Sequence, residues 1–178
     1  MNTNSKLKQA SLYGLLASVP ILIVLAIRVF SGQYLNGQIL GLIDNAVFIF
    51  GIFFIIKHYR NVVCGGSVTL GECVKMGTLS SLMVGIVIGF ALFLIFKFDA
   101  KMSEAVLRTV RNVYASVGIP KSDVEQIMSM LKSLLPVTQF IGALISNVIG
   151  GLFVSLICGA FLRNRSGNGF DEAMKEVE

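Results

Sequence analysis

Asp44 is the residue in this chain whose position demands a chemical explanation. It stands inside an apolar run, 38–56, with Asn45 beside it. A carboxylate six residues into such a run is costly unless it is paired, protonated or within reach of water. One chemistry that meets the cost is a proton or cation site built from Asp44 and Asn45. The other is an ion pair with Arg28, which lies near the end of the preceding apolar run and so near the same membrane face. With a partner at hand, the structural ion pair is the stronger of the two readings.

The other reactive side chains assemble into less. His58, Cys64, Glu72 and Cys73 fall around one expected end of the molecule, but their spacing matches no zinc-ligand pattern and they read as loop residues. Cys158 lies in an apolar run and reads as a small apolar side chain. Three cysteines without framework spacing argue against a disulfide scaffold. Thr78, Ser80 and Ser81 have no histidine placed to activate them, His58 being the single histidine of the chain. Gly65-Gly66 lacks the lysine of a phosphate-binding loop and reads as a turn. The chain is therefore read as non-enzymatic, with no catalytic residue, metal or cofactor expected. Asn147, in the last apolar run, is placed to hydrogen-bond between helices.

Composition says what must position these residues. The chain is 54% hydrophobic and only 14% charged, with a mean hydropathy of +0.78; a soluble domain carries about a quarter charged residues. The charges cluster between long apolar runs, which is the membrane pattern. The fold expected is all-α: one integral membrane domain, a four-helix bundle with spans at about 10–30, 38–56, 76–96 and 137–162. Pro20 marks a kink in the first span, and Pro136 marks entry to the fourth. Between spans three and four, apolar residues recur at helical spacing over 101–117 and again over 122–135. Two amphipathic helices are expected there, lying in the bilayer interface or packed on the ends of the spans. Residues 166–178 form a polar tail.

Local signals punctuate these elements. Thr69, Leu70, Gly71 and Glu72 have the pattern of a capping box, which fixes where the third helix begins. Ser122 and Glu125 repeat the pattern, and Gly118-Ile119-Pro120 stops the helix before them. Small residues recur at spacing four in Gly37/Gly41, Gly85/Gly89, Gly142/Ser146/Gly150 and Gly151/Ser155/Gly159. Such stripes let helix backbones approach closely. Packing within one chain is the reading favoured for them, with homodimerisation as the alternative.

The run from Thr69-Leu70-Gly71-Glu72 through Gly77, its long apolar helix, the amphipathic pair and the last small-residue-rich span resemble the domain of unknown function 4199 family. The resemblance covers about 10–162 and implies a bacterial membrane protein of four spans. That family brings no established activity, so no functional residue is implied by it.

The formal net charge of +5 comes from lysines and arginines beside apolar segments, not from a basic patch with interleaved aromatics, so no nucleic-acid partner is expected. Lys8, Lys57, Arg60, Arg163 and Arg165 lie close to the spans on the side of the termini, against Arg28, Lys97 and Lys132 on the other. Both termini are therefore expected in the cytoplasm, with the protein in the bacterial inner membrane. The partners expected are the lipid bilayer and either a second copy or another membrane protein. The role expected is that of an interaction or accessory component; a small transporter or ion-conducting subunit using Asp44 and Arg28 is the alternative.

Overall fold

The computed structural model describes residues 3–32, 38–118 and 120–162. The expected tail, the closing Arg163 and Arg165, and Gly37 of the Gly37/Gly41 pair lie outside those residues. Five α-helices make up nearly all of the described chain, with no strand among the described residues: α1 Thr3–Phe30, α2 Gln38–His58, α3 Leu70–Phe98, α4 Ala100–Ser116 and α5 Lys121–Leu162. Stretches of α1, α3 and α5, and α2 with the π-helical turn after it, are long and apolar enough to cross a bilayer. The protein is thus an all-α, multi-pass membrane bundle.

The third helix starts where its sequence says it must. The Thr69 hydroxyl accepts from the Glu72 backbone N–H at 3.3 Å, and the Glu72 carboxylate accepts from the Thr69 N–H at 3.3 Å. Two donors with no partner inside the helix are satisfied reciprocally. At the far end Asp99 closes α3 and caps α4, its Oδ1 accepting from the N–H groups of Lys101 and Met102. One residue therefore joins two helices, and Ser103 ties them by donating to the Phe96 carbonyl at 2.8 Å. The helix α4 ends at Ser116 and turns at Gly118, whose φ of 81° suits a residue without a Cβ.

Two boundaries differ from expectation. The capping box at Ser122 and Glu125 does not form; the Ser122 hydroxyl donates to Asp123 instead, and the helix has already begun at Lys121, its first backbone bonds accepted by Pro120. The stretch 122–135 is also not a helix of its own. It runs through Pro136 without a break and is the first third of the 42-residue α5. Proline removes one backbone donor, which a long helix packed along its length tolerates.

The central contact is the antiparallel pair α3–α5. A Cβ on Gly77 would overlap Ser155, and one on Gly151 would overlap Ser81, so each glycine receives the other helix's serine. Further along, Gly85 faces Leu144 and Asn147, Gly89 faces Phe140, and Gly159 faces Cys73. Backbone approach of this kind replaces the hydrophobic effect as the source of helix association in lipid. The buried serine hydroxyls stay satisfied: Ser81 donates to the Gly77 carbonyl, Ser155 to Gly151 and Ser18 to Leu15. Ser80 instead donates across to the Ala10 carbonyl at 3.2 Å and ties α3 to α1. The packing stripe of α5 is thus Gly151/Ser155/Gly159. Among the described residues Gly142 has nothing within 4 Å of a Cβ, Ser146 is exposed, and Gly150 faces only Phe48 of α2.

The register of this pair fixes heights. Counting one residue of α5 for each of α3 from Gly89–Phe140 brings Lys97 level with Lys132, and Phe98 level with Leu131. The start of α5 therefore overhangs α3 by about 15 Å at 1.5 Å per residue. Along this overhang α4 packs back as a helical hairpin, with Met102 and Leu135 in one apolar cluster and Val124 and Met128 buried.

Candidate functional site

The second helix is fully buried at one end only, with Val47 and Phe48 half-buried in its middle. Ile52, Ile55, Ile56 and Tyr59, the last in the π-helical turn Tyr59–Val63, are buried in the core, whereas Ile39, Leu42 and Ile43 near the start of α2 are exposed. The first half of α2 therefore borders a cleft of about 350 Å³ against α1, α3 and α5. Arg28, Asp44, Asn45, Ser146 and Asn147 all line it, over an apolar floor that includes Ile21, Leu25, Ile88 and Leu92. Four of these five polar residues could be singled out in sequence as candidates for chemistry. Ser146 was legible only as part of a small-residue stripe.

Arg28 Nη1 donates to Asp44 Oδ2 at 2.8 Å, and each side chain retains about a fifth of its exposure (21%). The expected pair between Arg28 and Asp44 therefore forms. Asp44 Oδ1 is shielded from solvent and accepts no hydrogen bond among the described residues. Asn45 donates to the Gly41 carbonyl at 2.9 Å and Asn147 to the Ala143 carbonyl at 2.8 Å, each bonding back onto its own helix. Each amide keeps a second N–H and its own carbonyl oxygen for another partner. The expected bond from Asn147 across to another helix does not form.

The remaining candidates are spent elsewhere. His58 meets the ring of Tyr13 edge-on at 5.2 Å between centroids, and Glu72 is used in the cap of α3. Cys73 and Cys158 are buried thiols and Cys64 is partly buried. Among the described residues no three His, Cys, Asp or Glu side chains are grouped to hold a metal. Ser80 and Ser81 hold backbone carbonyls and have no base beside them. A larger hollow of about 480 Å³ lies between α4 and α5, but its charged residues (Glu104, Arg108, Arg111, Glu125 and Lys132) are all exposed. Charges in that setting interact weakly.

A family model described as "Protein of unknown function (DUF4199)" matches residues 8–164. The chain belongs to this family. No curated protein and no solved structure matches it. Membership in DUF4199 accords with the resemblance read from Thr69–Gly77 and the long apolar helix after it, and the match takes in the cleft and the α4–α5 hairpin alike. Tyr59 is the residue that sequence reading missed. It falls within Lys57-His58-Tyr59-Arg60, which reads as a polar stop, yet its side chain is 1% exposed and anchors α2 in the core. A tyrosine at the end of an apolar run is the available signal, because its ring can stay in the core while the chain leaves it.

Proposed function

We propose that this DUF4199 protein is a non-enzymatic component of the bacterial inner membrane that works by binding another membrane protein or a second copy of itself. One observation carries the reading. The outward face of α5 is apolar not only along its membrane part but also on the overhang, where Ile127 and Met130 remain exposed. With Lys97 and Lys132 taken as the membrane edge, apolar surface above their level is out of the hydrocarbon, and burying it against a partner is favourable. The amphipathic character of α4 and of the start of α5 fits the same role, one face of each closing the hairpin. Basic residues beside the spans favour termini in the cytoplasm, which puts the hairpin on the outer side. The test is a pulldown from native membranes in mild detergent, comparing wild type with Met130→Glu. A stoichiometric membrane partner, or a second copy, lost in the variant supports the proposal; the same set of proteins recovered with both chains sinks it.

A second reading rests on the cleft. Asp44, Asn45 and Asn147 share a hollow deep enough for a small ion or solute, the arrangement expected of a small transporter or ion-conducting subunit. The engagement of Asp44 by Arg28 weighs against it, since the carboxylate is already neutralised. Ion flux into proteoliposomes, lost in Asp44→Asn while the fold persists, would favour this reading over the first.

A further inference from the structure

We infer that the partner covering α5 is the α5 of a second copy, parallel and in register; the inference rests on the interaction role proposed above and gives that role its occupant. The exposed apolar residues of α5 follow a repeat. Ile127, Met130, Leu134, Val137 and Ile141 are all exposed, at successive spacings of three and four. Alternation of three and four is the seam of a left-handed helix pair, in which each side chain enters a hole on the facing helix. Such a hole is present: a shallow groove lined by Ile127, Met130, Leu131 and Leu134, with Gln126 and the carboxylate of Asp123 at its upper end, lies on this face.

The seam crosses the membrane boundary without changing character. Val137 and Ile141 lie below the level of Lys132, where lipid chains would cover them equally well. Ile127 and Met130 lie above it, where lipid chains do not reach. A partner that covers both parts must itself be a helix that leaves the bilayer at the same height and continues upward. A second copy meets that demand automatically. Two copies in one membrane share an orientation, so a two-fold axis along the membrane normal sets α5 beside α5 with equal residues at equal heights.

Charge permits the self-contact. An isologous seam places each residue near its own copy, so a charged residue on it would meet a like charge. Asp123, at the upper end of the groove, is the one charge on this face and sits above the first seam residue, Ile127; below it Glu125 and Lys132 line the hollow on the α4 side instead, and no other charge follows to Leu162. The positions flanking the upper seam, Gln126, Leu131, Ser133 and Thr138, are uncharged.

The experiment is disulfide mapping in native membranes. Cys64, Cys73 and Cys158 are first replaced, and cysteine is then introduced singly as Met130→Cys, Val137→Cys, Ile141→Cys and, on the α4 side, Ser129→Cys. After mild oxidation a covalent dimer is expected at the three seam positions and not at Ser129. Met130→Glu, combined with Ile141→Cys, is expected to abolish the dimer while circular dichroism still shows a folded chain. Absence of dimer at the seam, or dimer at all four positions alike, overturns the inference. If seam dimers are absent and the pulldown still yields a partner that Met130→Glu releases, the occupant is a different protein; only the interaction role then survives.

Discussion

Replacing Asp44 by asparagine removes the carboxylate charge 2.8 Å from the Arg28 guanidinium, in a cleft with an apolar floor. Breaking a buried pair from one side costs about 3–5 kcal/mol. The pair here is not fully buried, each side chain being 21% exposed, and Arg28 lies within one turn of the end of α1, so its guanidinium can reach toward the membrane face. Those two features reduce the expected loss to about 2–3 kcal/mol. The double variant Arg28→Gln/Asp44→Asn puts two neutral amides in place of the pair and is expected within about 1 kcal/mol of wild type. The chain has no tryptophan, so fluorescence of a thiol-reactive dye is the better probe of unfolding in detergent. Cys73 and Cys158 are buried and would react only on unfolding, once the more accessible Cys64 is replaced by serine. A single variant that melts like wild type would refute the reasoning, as would a double variant no more stable than Asp44→Asn alone.

Three further outcomes follow from the packing. Gly77→Leu places a side chain where Ser155 sits and is expected to cost more than about 3 kcal/mol, whereas Gly142→Leu, at an open position, should leave the monomer's melting temperature unchanged; equal effects at the two sites would mean that α3 and α5 do not pack in this register. Thr69→Ala removes one half of the capping box of α3 and should lower stability by about 1 kcal/mol in the same melt, with Glu72→Ala adding little once Thr69 is gone. With the native cysteines removed, Glu125→Cys on the overhang should react with a membrane-impermeant thiol reagent, while Ile149→Cys, in the span, should not; labelling of both or neither would place the boundary elsewhere.

The spans, the cap at Thr69 and the pairing of Arg28 with Asp44 were all legible in the sequence, because each rests on local pattern or on charges that hydrocarbon forces together. What escaped is set by contacts between distant residues. Nothing local distinguishes Gly142/Ser146/Gly150 from Gly151/Ser155/Gly159, since both stripes are small enough; only the serines at 81 and 155 facing glycines at 151 and 77 decide which stripe meets α3. Pro136 misled for a related reason. A proline is a strong local stop, but the apolar faces before and after it pack on α4 and α3 as parts of one rod, and that continuity outweighs a single missing donor. The convergence of Asn147 and Ser146 on Asp44 likewise needed the bundle before it could be seen.

Because the fully buried residues of α2 fall within Ile52–Tyr59, with Val47 and Phe48 packed less tightly before them, the helix behaves mechanically as a cantilever. Asp44 lies about 12 Å from that clamp at 1.5 Å per residue, and bending displaces a beam most toward its free end. The bond to Arg28 is thus a strut placed where it resists the most motion. Loss of either charge should therefore widen the spread of distances between spin labels at Ala26 and Ala46, alongside the fall in stability expected above.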